Sequence, residues 1–124
     1  MVKFYICETC GNFAELIKDG GVSMVCCGND MVELSANTEE ASTEKHLPVI
    51  ERDGDRITIT IGSDLHPMEQ KHHIEFIYLE TKNGCQRRTL EIGQQPTAEF
   101  CICADEPVAA YEYCNLHGLW KTSF

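Results

Sequence analysis

The sequence lacks long apolar runs. Its longest ones have the length of a β-strand, far below the roughly 20 residues of a membrane-spanning helix. Heptads, internal repeats and low-complexity tracts are also missing. Residues 1–6 have neither the apolar stretch nor the small-residue cleavage site of a secretory signal. The composition, 43% hydrophobic and 24% charged, is typical of a soluble globular protein, and we expect a cytoplasmic one.

Basic residues are few. The chain has 10 Lys and Arg against 20 Asp and Glu, which gives a formal net charge of −10. Binding to nucleic acid or to an anionic membrane surface depends on clustered Lys and Arg, so this charge argues against both partners. A small anionic substrate is still compatible with the charge, provided that positive potential is concentrated at its site.

Cysteine, in contrast, is abundant, with eight in 124 residues. In a reducing compartment, clustered cysteines bind metal more often than they form disulfides. Cys7 and Cys10 form a Cys-x-x-Cys-Gly knuckle, whose glycine permits a tight turn, and the adjacent pair Cys26 and Cys27 follows after fifteen residues. Four thiolates in this arrangement predict a tetrahedral site for zinc or iron, and the spacing does not choose between the metals. A structural zinc ribbon and two disulfides are the alternatives, although adjacent cysteines rarely bridge each other without strain.

The chain divides into two pieces of different character. Residues 1–36 hold these four cysteines but few apolar residues, so this piece needs a metal or disulfides in order to fold. Residues 37–45 are mostly polar and are predicted to be a linker. They open the second piece, residues 37–124, in which the signals are those of β-strands.

The second piece is predicted to be an antiparallel β-sandwich. Its strands are expected at residues 56–61, 74–81, 88–92, 99–104 and 108–113. The first of them alternates between apolar and polar side chains, and the second is mostly apolar. Asn83-Gly84 is a strong hairpin signal between the second and third. Short strands separated by Gly, Pro and Asn turns are typical of an immunoglobulin-like sandwich, so the whole chain is predicted to be all-β.

All five histidines and one further cysteine lie in three short segments near the ends of predicted strands: His46; His66, His72 and His73; and Cys114 with His117. A single histidine is more often a surface residue than a ligand. Taken together, however, these segments predict a joint metal site, with zinc, iron and copper as open choices. The Cys-x-x-His spacing of the last segment allows both side chains to meet one ion.

Three cysteines belong to neither cluster. They are Cys85, Cys101 and Cys103. We interpret them as small core residues, because reduced cysteine is often buried. A redox-active thiol, or a disulfide that involves Cys85, is the alternative.

Two sets of motifs resemble one known family. Cys-x-x-Cys-Gly-Asn followed by Cys-Cys-Gly is similar to the rubredoxin-like, desulforedoxin-type domain at the front of desulfoferrodoxins. Glu-Lys-His-x-Pro-Val-Ile, His-Pro-Met-Glu-x-Lys-His and Cys-Asn-x-His-Gly are similar to the catalytic domain that desulfoferrodoxins share with neelaredoxins. The resemblance covers essentially the whole chain. It implies two irons per chain, of which the one at the cysteine site can be replaced by zinc.

The resemblance also implies the ligands and the activity. Cys7, Cys10, Cys26 and Cys27 would bind the front iron. His46, His66, His72 and His117 would be equatorial ligands of the second iron, and Cys114 its axial thiolate, whereas His73 would pack or form a hydrogen bond. These families are superoxide reductases, so the implied reaction is one-electron reduction of superoxide to hydrogen peroxide.

Further roles follow from the same resemblance. Lys45 would guide superoxide and help to protonate the peroxide, and Glu44 would occupy the sixth position of the ferric iron. Without the motif, Glu44-Lys45 would be interpreted as an ordinary solvated pair. A rubredoxin-like protein or a reductase would supply electrons, and the chain would form a homodimer. The alternatives are a superoxide dismutase, and an electron-transfer or structural metalloprotein without superoxide turnover.

Overall fold

A computed structural model describes residues 2–39 and 45–124 of the chain. Within these ranges the structure has twelve short strands and no helix, so the predicted all-β class is confirmed. No helix in the described part of the chain is long and apolar enough to cross a membrane. The chain forms two compact units, Met1–Ser35 and Ala36–Phe124.

The first unit consists of small sheets with little core. Its strands are β1 (Phe4–Ile6), β2 (Phe13–Glu15), β3 (Val25–Cys26), β4 (Asn29–Asp30) and β5 (Val32–Glu33). The order β2-β1-β5 makes one antiparallel sheet, and β3 pairs with β4 in a hairpin. Phe4 packs against Phe13 with ring centroids 5.5 Å apart. Among the described residues of this unit, Phe4 and Cys7 are the buried apolar side chains, which is too little to stabilise it alone.

The second unit is a sandwich of two antiparallel sheets. Its strands are β6 (Pro48–Asp53), β7 (Arg56–Ile61), β8 (Ile74–Thr81), β9 (Gly84–Thr89), β10 (Thr97–Cys101), β11 (Pro107–Cys114) and β12 (Gly118–Ser123). One sheet has the order β10-β7-β6 and the other the order β12-β11-β8-β9. The expected β-sandwich behind a small front module is thus confirmed.

The core lies between these two sheets. Ile57, Ile59 and Ile61 alternate along β7 and are fully buried, because successive strand residues point to opposite faces and this set points inward. Ile77 and Leu79 of the central strand β8 meet them from the other sheet. Burial of a branched apolar side chain contributes about 1.5–3 kcal/mol, so this cluster can hold the strand ends in fixed positions.

Those strand ends meet at one end of the sandwich. Pro48 opens β6 opposite Ile61, the last residue of β7. Cys114 closes β11 opposite both Ile74, at the start of β8, and Gly118, at the start of β12. The three segments that precede, join and follow these strands, residues 45–47, 62–73 and 115–117, carry all the predicted histidines.

Several predicted strand limits and one interpretation need correction. Residues 56–61 and 74–81 were correct, and the hairpin after β8 exists. Its turn residues are Lys82 and Asn83, however, and the return strand begins at Gly84 rather than 88. Strand β10 begins two residues earlier than predicted and ends at Cys101, and β11 is one residue longer at each end.

The interpretation of Cys85, Cys101 and Cys103 as core residues is wrong, since all three are exposed. Cys85 lies on β9, the edge strand of its sheet, and Cys101 follows the inward-facing Phe100 on β10 and therefore points outward. Cys103 lies beyond the end of that strand.

Candidate metal centres

A tight hairpin presents the adjacent cysteines of the first unit. Cys26 pairs with Asn29, so the loop between β3 and β4 is Cys27-Gly28, with φ angles of 52° and 77°. Positive φ at both loop residues defines the type I′ turn, whose twist matches that of the flanking strands. A cysteine in this left-handed region costs about 1–2 kcal/mol relative to ordinary backbone. The turn therefore carries strain, and it places the thiols of Cys26 and Cys27 in the same cluster.

The other two cysteines form the knuckle predicted from their spacing. The amide of Gly11 donates to the carbonyl of Cys7 at 2.8 Å, and the amide of Cys10 donates to the Cys7 Sγ at 3.5 Å. Gly11 has φ 82°, which confirms the tight-turn role expected for this glycine. The knuckle thus supplies amide donors to a thiolate as well as two ligands.

The four thiols converge on one point. Their Sγ atoms all lie within 4.8 Å of one another, and Cys10 and Cys26 Sγ are 3.6 Å apart. Sulfurs at about 2.3 Å from a tetrahedral ion would be about 3.8 Å apart, whereas bonded sulfurs would be about 2.05 Å apart. All eight cysteines lie in the described ranges, and within these ranges none of them forms a disulfide. The first cluster therefore fits a metal ion and not a pair of disulfides.

The thiols of this cluster differ in acidity. The amide of Cys10 lowers the pKa of Cys7 to about 6. Hydrogen bonds with the thiols of Cys10 and Cys7 raise the pKa of Cys27 to about 12. A metal ion must displace the protons of the less acidic thiols, such as that of Cys27. The affinity of the cluster for the ion therefore rises with pH.

The second cluster combines the predicted histidines with Cys114. The Nε2 atom of His46 lies 3.1 Å from His66 Nε2 and 3.1 Å from His117 Nδ1. The Cys114 Sγ lies 3.7 Å from both His66 Nε2 and His117 Nδ1. With His72 included, one ligand atom of each of the five residues lies within 4.8 Å of all the others.

These spacings suit a five-donor ion better than a tetrahedral one. Nitrogens about 2.1 Å from an ion are about 3.0 Å apart at right angles and about 3.4 Å apart at tetrahedral angles. The observed 3.1 Å agrees with right angles. Structural zinc is almost always four-coordinate and tetrahedral, so the donor number and spacing argue against zinc among the metals that the sequence left open, and leave iron and copper.

Backbone and ring contacts orient the imidazoles. The Nδ1 of His66 lies 2.8 Å from the carbonyl oxygen of Pro67 and can only donate to it, which leaves the Nε2 lone pair for a metal. Trp120 stacks on His46 with centroids 4.6 Å apart and ring planes 15° apart. Its Nε1 also donates to the carbonyl of His117 at 3.2 Å. One side chain therefore fixes two ligand segments.

A second brace joins the other two segments. The side chain of Asn115 accepts from the amide of His73 at 2.8 Å and donates to the carbonyl of Lys71 at 3.0 Å. These bonds hold His72 between their two anchor points, next to the loop that carries His117. His73 itself lies outside the cluster, and its Nδ1 donates to the carbonyl of Glu69 at 2.9 Å, in line with the expected hydrogen-bonding role.

The cluster lies at the surface with its sulfur inside. His46, His66 and Cys114 are buried, His72 is half-buried and His117 is exposed. Lys45, predicted to act on the substrate, is half-buried and directly precedes His46. Glu44 lies outside the described residues. Trp120 and Asn115 were missed from the sequence, although each lies within three residues of His117 and Trp120 is the single tryptophan of the chain.

Comparison with known proteins agrees with this geometry. The desulfoferrodoxin family matches residues 38–123, and the desulfoferrodoxin N-terminal domain matches residues 1–34. The desulfoferrodoxin of Nitratidesulfovibrio vulgaris is 46% identical over 119 residues, which cover 96% of this chain and 94% of that protein. The chain belongs to the desulfoferrodoxin family. Its two clusters match the two iron centres of desulfoferrodoxins, one with four cysteines and one with four histidines and a cysteine.

Several relatives carry a functional name. The crystal structure of the superoxide reductase from Treponema pallidum superimposes with a TM-score of 0.87 at 30% identity, and covers 99% of this chain and 98% of that one. The superoxide reductase of Pyrococcus furiosus is 28% identical over an alignment that covers 73% of this chain and 95% of that protein.

The first cluster can be tested by removing one thiolate. In Cys27→Ser a harder oxygen replaces a soft ligand, so we expect the metal content to fall from about two ions to about one per chain. The measurement is metal analysis after dialysis against a chelator. Cys85→Ser is the matched control, since it removes an exposed cysteine outside both clusters and should leave both ions bound. Two retained ions in Cys27→Ser would show that Cys27 is not a ligand.

The bracing role of Trp120 can be tested through iron affinity. Trp120→Leu removes the stacked ring and the Nε1 donor, whereas Trp120→Phe removes only the donor. We expect the affinity of the histidine–cysteine site to fall about 10–100-fold in the first and less in the second, as measured by chelator competition. Leu79→Ala should cost about 2–5 kcal/mol of stability without a comparable loss of affinity. Unchanged iron affinity in Trp120→Leu would show that Trp120 fills the core without bracing the site.

Proposed function

We propose that this chain is a superoxide reductase, which adds one electron and two protons to superoxide to give hydrogen peroxide. The observation that carries the proposal is the convergence of four imidazole nitrogens and one thiolate within 4.8 Å at the surface. This donor set is the one that the resemblance implies for a desulfoferrodoxin catalytic centre, and the relatives from Pyrococcus furiosus and Treponema pallidum are named superoxide reductases.

His46, His66, His72, His117 and Cys114 would hold an iron, which would supply the electron through its ferrous and ferric states. The thiolate of Cys114 is fully buried, so it approaches the site from the core. We propose that a small anion reaches the site from the solvent-facing side, where His117 is exposed. The thiolate of Cys114 would donate electron density to a bound iron, as a thiolate does in thiolate-ligated haem.

Lys45 is the proposed catalytic cation. The chain as a whole repels an anion, with a formal net charge of −10. A lysine Nζ about 6 Å from superoxide at the site attracts it by roughly 2–3 kcal/mol at an effective dielectric of about 20. Carboxylates farther away than the Debye length of about 8 Å are largely screened. The Nζ of Lys45 also carries a proton that the product can take.

Glu44 is proposed on the resemblance alone, since it lies outside the described residues. Its carboxylate would act as a further anionic ligand of the oxidised iron, as the resemblance implies. For the nine clustered residues we propose the ligand roles that the resemblance implies.

The proposal also covers the electron donor, the oligomeric state and the location of the protein. We propose a rubredoxin-like protein or a reductase as the electron donor, with the four-cysteine iron either as a relay or as a structural ion. A homodimer is supported by the first unit, where Ile17, Val22 and Val25 are 91%, 83% and 64% exposed. Apolar side chains this exposed are available to a partner subunit. We also propose a reducing, cytoplasmic location, in which the clustered thiols stay available as metal ligands.

The first test is the stoichiometry of the reaction. Reduced, iron-loaded protein is mixed anaerobically with a calibrated pulse of superoxide, and peroxide and oxygen are measured together. A reductase yields one peroxide for each superoxide and no oxygen. Half as much peroxide together with oxygen would indicate a dismutase. No reaction with iron in both sites would leave an electron-transfer or structural metalloprotein.

Lys45→Ala tests the proposed cation. We expect the second-order rate constant with superoxide to fall about tenfold or more at low ionic strength, with the iron content unchanged. Lys82→Ala is the matched control, because it removes the same charge from the turn after β8, about 23 Å along that strand from the site. Equal rates in Lys45→Ala and in the unsubstituted protein would remove Lys45 from the mechanism.

A further inference from the structure

Gly62 lies directly against the backbone of Lys45. It follows the last residue of β7 and has φ 84°. A Cβ atom placed on Gly62 would lie 2.7 Å from the carbonyl oxygen of Lys45, 3.3 Å from the Lys45 Cβ and 2.4 Å from the carbonyl oxygen of Asp64. Two of these distances are shorter than real Cβ atoms show. Any side chain at this position must therefore displace Lys45 or the Asp64 loop.

This contact distinguishes Gly62 from the other glycines. The chain has nine, and six others also have positive φ, among them Gly54 and Gly93. A Cβ atom on any of the other eight would meet nothing within 4 Å. The positive-φ glycines elsewhere are thus needed only for their backbone conformation. Gly62 is needed for its conformation and also for the space that it leaves to Lys45.

Two backbone hydrogen bonds bring two ligand segments together at the end of β7. The amide of Gly62 donates to the carbonyl of Leu47 at 3.2 Å, which holds residues 45–47 along the end of β7. The amide of His66 donates to the carbonyl of Ile61 at 3.2 Å, so the loop that carries His66 starts at the same place. The backbone of Lys45 therefore packs against Gly62. Lys45 directly precedes His46, and the loop that carries His66 begins at the same strand end.

We propose that Gly62 is a positioning residue for Lys45. Its missing side chain lets the Lys45 backbone rest on the end of β7, and this contact fixes the origin of the lysine side chain beside the histidine–cysteine site. The electrostatic attraction of an anion depends on distance as 1/r and on screening, so a lysine displaced toward solvent loses most of its effect. The inference rests on the proposed function, because it needs Lys45 to act on an anionic substrate.

The test compares Gly62→Ala with Gly93→Ala in the iron-loaded full chain. Gly93 has φ 85° and open space around its Cβ position, so its substitution has the same backbone cost without the contact. We expect Gly62→Ala to lower the rate constant with superoxide about tenfold, toward the value of Lys45→Ala, and to flatten its dependence on ionic strength. Gly93→Ala should change neither. The visible absorption of the oxidised iron should stay the same in both variants.

A double-mutant cycle isolates the role of Lys45. If Gly62 acts through Lys45, Gly62→Ala should have little further effect on the rate in a Lys45→Ala background. An equal loss in both backgrounds would overturn the inference, since Gly62 would then act on the ligands themselves.

Binding of azide to the oxidised protein and of nitric oxide to the reduced protein separates this inference from the proposed function. We expect Gly62→Ala to weaken azide, which is an anion, and to leave nitric oxide, which is neutral, unchanged. These measurements hold even if the protein does not reduce superoxide, so that a failed superoxide assay does not decide the role of Gly62. Equal azide affinity in Gly62→Ala and the unsubstituted protein would overturn the inference.

Gly62→Asn guards against a folding failure. Asparagine tolerates left-handed backbone better than alanine but carries the same Cβ atom, so it should fold more easily and still displace Lys45. Folding is followed by the fluorescence of Trp120, the single tryptophan. If neither variant folds while Gly93→Ala does, the contact is a requirement for folding and not a positioning device, and the inference is wrong.

Discussion

Four imidazole nitrogens and one sulfur converge within 4.8 Å of one another. The Nε2 of His46 lies 3.1 Å from a ring nitrogen of His66 and 3.1 Å from one of His117, which is also the spacing of two nitrogen donors at right angles on one ion. The sandwich has to supply this arrangement in advance. It does so by ending β7, β8 and β11 at the same place, so that a rigid core fixes the starting point of each ligand segment.

The two units bring their metal-binding residues together by different means. The second unit has a core cluster of twelve buried residues, and its ligands need only short braces such as Trp120 and Asn115. The first unit has almost no core, so its chain accepts a strained turn at Cys27 whose benefit appears only when an ion is bound. The first unit therefore depends more than the second on the ion at its cluster for its stability.

The sequence predicted what depends on local pattern and missed what depends on the position of a strand in its sheet. Strands at residues 56–61 and 74–81 were correct because alternation or continuous apolarity reveals burial. The residues of both predicted clusters converge in the structure, because chelating spacing is local. Cys85 and Cys101 were misjudged because their exposure depends on which strand is at the edge and which face points outward. The stacking of Trp120 on His46 depends on the register of the hairpin between β11 and β12, which spacing alone does not give.

The acidic composition and the anionic substrate are compatible because their effects have different ranges. A carboxylate well beyond about 8 Å is screened by salt, whereas one ammonium group within the site acts through a medium that salt enters poorly. The overall charge can then serve solubility without opposing catalysis. The proposed role of Lys45 requires that its charge be placed accurately. Gly62 is the glycine whose missing side chain leaves room for the backbones of Lys45 and Asp64, so a tight contact at the end of β7 lies where this proposal needs one.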